Sequence, residues 1–491
     1  MCLLDLEDRL MFRYLCYQLH RNRTQSHADS KPPTTPSNMI RPLRETAWID
    51  GCRGLAMLYN TTMRVLTAFT EPHSGTQSLL LMFFVLGGYV SARKSLVLMQ
   101  RGDYRSRAEL VKTLSTSAFR RGFRLYLPAF VSTLITAVAS YIGLFETIRP
   151  FVAKEEIKTY FPGSNPPDPL RRSTTLTRQL QYWLYDVGPL ANVWTAKRHV
   201  PRHNPHLWTL QCEFLSSLHL YITLIVCVRL KPWTRLLTLL MLSQYHMIAG
   251  RRYEVMLFFF GAALAQAELM LNAASRSLIY NLSSVNFLVK KGVWIAALYT
   301  SIVLMFYPLP GLFNQQAYAE KYAIIRLLDA MTPVNYPEKD KLFDGIGVVL
   351  FFVCIMVSSP ESWARRALTN NFAQYFGRMF FGTILVEGAV LNAGGFLVPH
   401  LFWAWSGDYQ RSKPDAWLSV ALSSEEKRTI AGLVVAELVN IPVLILLGDL
   451  FMRVVVKRCM IVMFLIENLV FVSDAEPDRS LQNGKPAHKI L

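Results

Sequence analysis

"LLLMFFVLGGYVSARKSL", residues Leu79–Leu96, runs through apolar side chains and then meets a pair of positive charges, Arg93-Lys94. A continuous apolar run closed by a basic pair is the pattern of a membrane helix leaving the bilayer on its positively charged side. Gly87-Gly88 inside it lets a neighbouring backbone approach closely. Similar runs recur along the 491-residue chain, 52% of which is hydrophobic. About ten are visible: Asp50–Phe69, Gln77–Val90, Leu125–Leu144, Leu207–Val228, Trp233–Gly250, Tyr253–Leu271, Gly292–Phe313, Phe343–Ser359, Phe381–Trp403 and Thr429–Met452. The runs are continuous, not alternating over ten-residue strands, which argues against a β-barrel. The sequence therefore predicts an all-α, polytopic membrane protein of about ten transmembrane helices, with the lipid bilayer as its first partner.

The net charge is +18. On a soluble domain that surplus would suggest nucleic acid. Here the Lys and Arg residues fall between apolar runs, where they set orientation, so no nucleic-acid partner is expected. Arg93–Arg124 is the densest basic segment, followed by Arg229/Lys231/Arg235, Arg365/Arg366/Arg378 and Arg453/Lys457/Arg458. With these on the cytoplasmic side, ten crossings place both termini there, and the endoplasmic reticulum or another endomembrane is the expected location. The long stretch between the third and fourth runs is also basic yet must lie outside, which long loops tolerate.

The seven cysteines form no CxxC pair and fall mostly within apolar runs. They read as small buried hydrophobes, so no metal site is expected. Residues 1–45 divide into an interfacial amphipathic segment, with Leu3, Leu6, Leu10 and Tyr14 at helical spacing, and a polar linker. Residues 46–465 form the transmembrane domain. Residues 466–491 are a polar tail.

Four stretches place polar groups where lipid makes them expensive. "WIDGCRGLAMLYNTTMRVL", Trp48–Leu66, has Asp50 and Arg53 at its mouth and Asn60-Thr61-Thr62 in its middle. In the second, Leu79–Leu96, the Gly pair sits close to the basic exit. "SAFRRGFRLYLPAF", Ser117–Phe130, puts Arg121 and Arg124 on one helical face. "HLWTLQCEFLSSLHLY", His206–Tyr221, buries Glu213 about two turns inside a crossing. Each admits a plain reading: snorkelling arginines, a structurally paired carboxylate, an interhelical histidine at His219. A carboxylate within a crossing costs roughly 2.5–3.5 kcal/mol on insertion scales, so Glu213 needs a partner or a function.

Taken in order, these stretches resemble the acyltransferase-3 family of integral-membrane O-acyltransferases, in its fungal-type branch. "WIDGCRGLAML" is similar to the family's "(Y/W)LDGLRGLAAL", "FFVLGGYVSA" to "FFVLSGYVLS", "SAFRRGFRLYLP" to "SFxRRxxRLYxP", and "LWTLQCEFLSSLHLY" to "LWTLPVEFxGSLxxY". Weaker echoes are "YEVMLFFFGAALAQ", "FGRMFFGTILVEGAV" and "LLGDLFMRVVVKRC". The resemblance implies a ten-helix enzyme that moves an acyl group from acyl-CoA, a co-substrate and not a resident cofactor, to a hydroxyl of a small-molecule acceptor. Such an acceptor would be a secondary metabolite, sterol or sugar. By position it implies that Arg53, Arg121 and Arg124 hold the donor, and guanidinium forks do suit phosphate oxygens.

The chain departs from the family in one respect that bears on mechanism. The family's first-helix histidine base is replaced by Met63-Arg64, and the histidine of "LVHG" by Glu387. Either the base has moved to Glu387, Glu213 or His73, or the scaffold no longer performs the reaction. Glu387 is the preferred catalytic substitute, because a carboxylate in a low-dielectric pocket can act in acid–base chemistry near neutrality. A structural Glu387–Arg64 pair is the alternative. A non-catalytic binding or regulatory relative, and a transporter, are the competing functions. Convergence of the five charged residues on one chamber is the geometric expectation that separates a site from scattered decoration.

Overall fold

In the computed structural model, the described residues are 46–67, 74–146, 170–195, 198–250, 252–278, 287–305, 339–359, 361–391 with 393 and 398, and 426–471. They are mostly helical, with no β-strand among them. His73 and the amphipathic segment expected before residue 46 lie outside the described residues. The helices are α1 (Ala47–Thr67), α2 (Ser74–Arg101), α3 (Tyr104–Tyr141), α4 (Leu176–Val187), α5 (Trp208–Val226), α6 (Pro232–Ile248) and α7 (Tyr253–Leu278). After them come α8 (Phe287–Met305), α9 (Lys339–Val357), α10 (Trp363–Thr369), α11 (Asn371–Val390), α12 (Glu426–Phe451) and α13 (Lys457–Val470). A π-helical turn, Met452–Val456, joins α12 to α13 without a break, so the last helix continues past residue 465.

Among the described residues, five stretches are long and apolar enough to cross a membrane: Leu79–Arg101, Arg105–Tyr141, Pro205–Arg229, Tyr253–Asn272 and Val434–Val470. Two shorter apolar helices, Lys291–Met305 and Asp344–Val357, accompany them. The ten runs and these five differ for a physical reason. Helix α1 carries Asp50, Arg53 and the Asn60-Thr61-Thr62 break, α11 carries Arg378 and Glu387, and α6 has only 17 residues. Polar groups that build a site also dilute the hydropathy of the helix that bears them. Large apolar side chains stay exposed on the outer faces, including Ile135 and Val138 of α3, Ile222 and Val226 of α5, and Leu438, Leu446 and Leu450 of α12. Such surfaces need a covering, which lipid supplies in a multi-pass protein.

The basic segment after the second run is helical, not a loop. Helix α3 has 38 residues, about 57 Å at 1.5 Å per residue, far longer than a hydrocarbon core of roughly 30 Å. Its apolar half marked the run, whereas its arginine-bearing half was read as helical only over Ser117–Phe130, around Arg121 and Arg124. Pro128 lies within it.

Helix α2 occupies the centre, with Leu81, Leu86 and Leu96 buried and Phe258 and Phe259 of α7 packed beside them. The Gly88 backbone lies so close to α7 that a Cβ there would overlap the Phe258 carbonyl oxygen, and a Cβ at Gly261 would overlap that of Val85. Small residues facing one another replace a driving force that lipid cannot provide. Gly88→Ala is therefore expected to lower stability by about 2 kcal/mol, overpacking outweighing the better helix propensity. Thermal unfolding in detergent would register it as a lower midpoint.

Candidate active site

Two polar layers are built into the apolar bundle. In the first, Arg121 of α3 donates from Nη2 to Glu213 Oε1 of α5 at 2.6 Å, and from Nη1 to Ser91 Oγ of α2 at 2.6 Å. The Ser91 hydroxyl in turn donates a hydrogen bond to the Gly87 carbonyl at 2.6 Å. The Arg121 guanidinium lies 5.5 Å from the Phe258 ring centroid, and Gly87 leaves the space that ring needs, since a Cβ there would come within 2.8 Å of it. Arg53 of α1 reaches the same region. It sits 3.7 Å from Asp50 and 5.6 Å from the Phe380 ring centroid, and the charges of Glu213, Arg124 and Arg121 all act on it. Three arginines and two carboxylates, Asp50 and Glu213, thus meet from α1, α3 and α5, leaving one positive charge in surplus. Two donors are buried here without a partner: Arg121 Nε and the hydroxyl of Tyr126, whose ring packs edge-on against Phe214. Buried donors are normally satisfied, so the orphans call for an explanation such as a bound group.

The second layer has Glu387 of α11, 1% exposed, with His206 Nε2 at 4.0 Å from its Oε2. His206 lies on a 3₁₀ turn, Pro205–Leu207, that enters α5 seven residues before Glu213, a rise of about 10 Å. Its backbone is held at both ends: Asn204 Oδ1 accepts from the His206 N–H at 3.1 Å, and Thr209 Oγ1 donates to the His206 carbonyl at 2.8 Å. Asn204 Nδ2 in turn donates to the Ile384 and Leu385 carbonyls of α11, at 3.0 and 3.2 Å. The fit is tight, because a Cβ at Gly388 would lie 2.9 Å from Asn204 Cγ.

Behind this strap stands Asp186 at the end of α4. Its carboxylate accepts from the backbone N–H groups of Arg202 and His203 at 3.1 and 3.2 Å, and from His203 Nδ1 at 2.6 Å. Burial alone would raise the Asp186 carboxyl; the His203 ring and the two backbone donors outweigh it and hold the pKa below the ordinary value. A depressed folded-state pKa stabilises the fold above the unfolded value of about 3.9, and that contribution is lost as pH falls through the folded pKa. Asp186→Asn is expected to cost about 1–3 kcal/mol at neutral pH and to flatten stability against acid. Acid titrations of wild type and variant, followed by tryptophan fluorescence, would show the two curves converging at low pH.

No family model matches the chain, and no solved structure matches it. One curated relative does. The chain is 24% identical over 425 residues to "O-acetyltransferase PaAT-1" of Phomopsis amygdali, covering 79% of this chain and 80% of that protein.

Of the site residues read from the sequence, Arg53, Arg121, Arg124 and Glu213 lie together. The partner that Glu213 was expected to need is Arg121, through a hydrogen bond of 2.6 Å. Glu387 belongs to the other layer, beside His206. The Arg64 side chain lies outside the described residues, so the Glu387–Arg64 pair does too. Two residues were not singled out as site residues in the sequence, His206 and Tyr126. Cys52, Cys212, Cys227, Cys354 and Cys459 are buried and free, and Asn60 is buried within α1.

Proposed function

We propose that this protein is a membrane-embedded O-acyltransferase that moves an acetyl or related acyl group from acyl-CoA to a hydroxyl of a small-molecule acceptor. The observation that carries this reading is the meeting of Arg53, Arg121, Arg124 and Glu213 inside an apolar bundle, in a chain similar along 79% of its length to a protein named an O-acetyltransferase. The acyltransferase-3 resemblance supports it. Coenzyme A is polyanionic, and a cluster of guanidinium groups in a low-dielectric setting binds its phosphates strongly. Glu213 keeps the Arg121 fork aimed while cancelling part of the charge that would otherwise repel Arg53 and Arg124.

In this reading about ten crossings carry the site, both termini face the cytoplasm, and the donor enters from that side in an endomembrane. Acceptor hydroxyls on secondary metabolites, sterols or sugars suit a site reached through lipid or from the far side. Apart from the co-substrate, no resident cofactor is required.

The test is thiol release from acetyl-CoA by the purified full-length chain in lipid nanodiscs, with a panel of octan-1-ol, glycerol, glucose and ergosterol, and with hydroxylamine as a reactive nucleophile. Acceptor-dependent release supports the transferase. No release with any of them would leave a non-catalytic relative of such enzymes.

A further inference from the structure

We propose that His206 and Glu387 form the proton-transfer pair of the site, an inference that rests on the acyltransferase reading above. It assigns the base that the first helix lacks to a residue 181 positions away from the carboxylate that supports it.

A carboxylate as deeply buried as Glu387 is costly to keep in an apolar bundle. Structure is organised around this one. Asn204 ties the strap to the α11 carbonyls one turn before Glu387, Gly388 is stripped of a side chain so that the strap can sit there, and Asp186 holds the strap from behind. All three features fix the position of His206 relative to Glu387. The 4.0 Å Nε2–Oε2 separation is loose for a hydrogen bond, as catalytic contacts without substrate often are. His206 is also partly open, 23% of its side chain being accessible, whereas neighbouring His203 is fully buried.

The chemistry balances with groups already named. The Glu387 carboxylate holds the Nε2 proton of His206, leaving Nδ1 to accept the proton of the acceptor hydroxyl. As that O–H bond breaks, the oxygen forms a bond to the thioester carbonyl carbon, and Glu387 stabilises the imidazolium. The tetrahedral intermediate then collapses with cleavage of the C–S bond, and the departing thiolate takes the proton back from His206. The donor layer lies about 10 Å along the helix axis. The extended pantetheine arm of coenzyme A spans that distance, so phosphates on the arginines and a thioester beside His206 are compatible. Asp186 and Asn204 are positioning residues in this scheme, acting through the strap.

The experiment compares wild type with His206→Gln, Glu387→Gln and Asn204→Ala, using thiol release from acetyl-CoA with the hydroxyl panel and with hydroxylamine, together with thermal stabilisation by acetyl-CoA. General-base loss costs about 10²–10⁴-fold. His206→Gln should therefore lose at least a hundredfold with hydroxyl acceptors, yet retain acetyl-CoA stabilisation and stay within about threefold of wild type with hydroxylamine, which is nucleophilic without a base. His206→Gly should recover part of the hydroxyl activity on addition of imidazole. Glu387→Gln should follow His206→Gln with a smaller loss. A His206→Gln variant that transfers to alcohols as wild type does would overturn the proposal. So would one that loses hydroxylamine transfer and donor binding as well, since that is the mark of a structural residue. A wild type that releases no thiol from acetyl-CoA above the protein-free rate under any condition overturns the transferase reading itself, and the pair falls with it.

Discussion

Arg121→Gln should weaken acetyl-CoA binding by about a hundredfold while the protein still folds. The side chain does three things at once. It bridges Ser91 and Glu213 through its two terminal nitrogens, lies over the Phe258 ring, and keeps a third nitrogen unoccupied. Removing it strands Glu213 beside the position an anionic donor would take, so an attraction becomes a repulsion. Leaving a buried charge unpaired costs about 3–5 kcal/mol, and these groups are part-exposed, so about 3 kcal/mol is the appropriate end of the range. Lysine should not restore binding, because an ammonium cannot span two acceptors in a fixed plane. Arg120→Gln is the control. Its guanidinium makes a two-pronged pair with Glu467 at 2.6 and 2.7 Å and lies 5.1 Å from the Phe464 ring centroid, away from the cluster. Equal losses for Arg120 and Arg121 would mean that general basicity, not the cluster, binds the donor. The double variant Arg121→Gln/Glu213→Gln separates the two contributions: thermal stability should recover, and donor affinity should not.

The convergence of Arg53, Arg121, Arg124 and Glu213 was readable because each is an expensive group in an apolar segment, and such groups rarely stand alone. Which arginine takes Glu213 was not readable. Arg53 and Arg121 are both spaced to reach it, and the choice depends on how α3 crosses α5 and on the room Gly87 leaves for Phe258. The helix boundaries show the same limit. Hydropathy marked only the apolar half of α3, and the helical face read at Arg121 and Arg124 was not joined to it, although both belong to one helix. His206 stood at the head of a quoted stretch and carried no local signal, since a histidine before a helix looks like many others. A clue was present in Glu387: a carboxylate within an apolar helix needs a partner of its own. Its location 181 residues away is a fact of tertiary packing that periodicity does not encode. The Asp186–His203 anchor was hidden for another reason, lying in a basic stretch whose charge invited attention to topology instead.

Glu254 is where loss of one atom's charge should cost the most stability. It opens α7, is fully buried, and receives two arginines: Arg198 Nη2 at 3.3 Å on one oxygen and Arg252 Nε at 3.1 Å on the other. The first turn of a helix favours a negative charge there, and Arg198 is further held between the Trp208 and Tyr253 rings, at 5.3 and 4.7 Å from their centroids. Glu254→Gln keeps the shape and leaves two guanidinium groups facing each other without a counter-charge. Each is about a quarter exposed, so water screens part of the penalty, and about 3 kcal/mol remains, or roughly 3 °C in melting temperature for a chain of this length. Arg252→Gln should cost much less, about 1 kcal/mol, because Arg198 still neutralises the carboxylate. That ordering is the informative part. Arg198 begins the strap that runs through Asp186's partners to His206, so Glu254→Gln should also lower hydroxyl transfer while leaving acetyl-CoA affinity, set by the other layer, close to wild type. A variant that melts normally would show that the two arginines find water instead. One that loses donor affinity in step with transfer would show that the two polar layers are mechanically one.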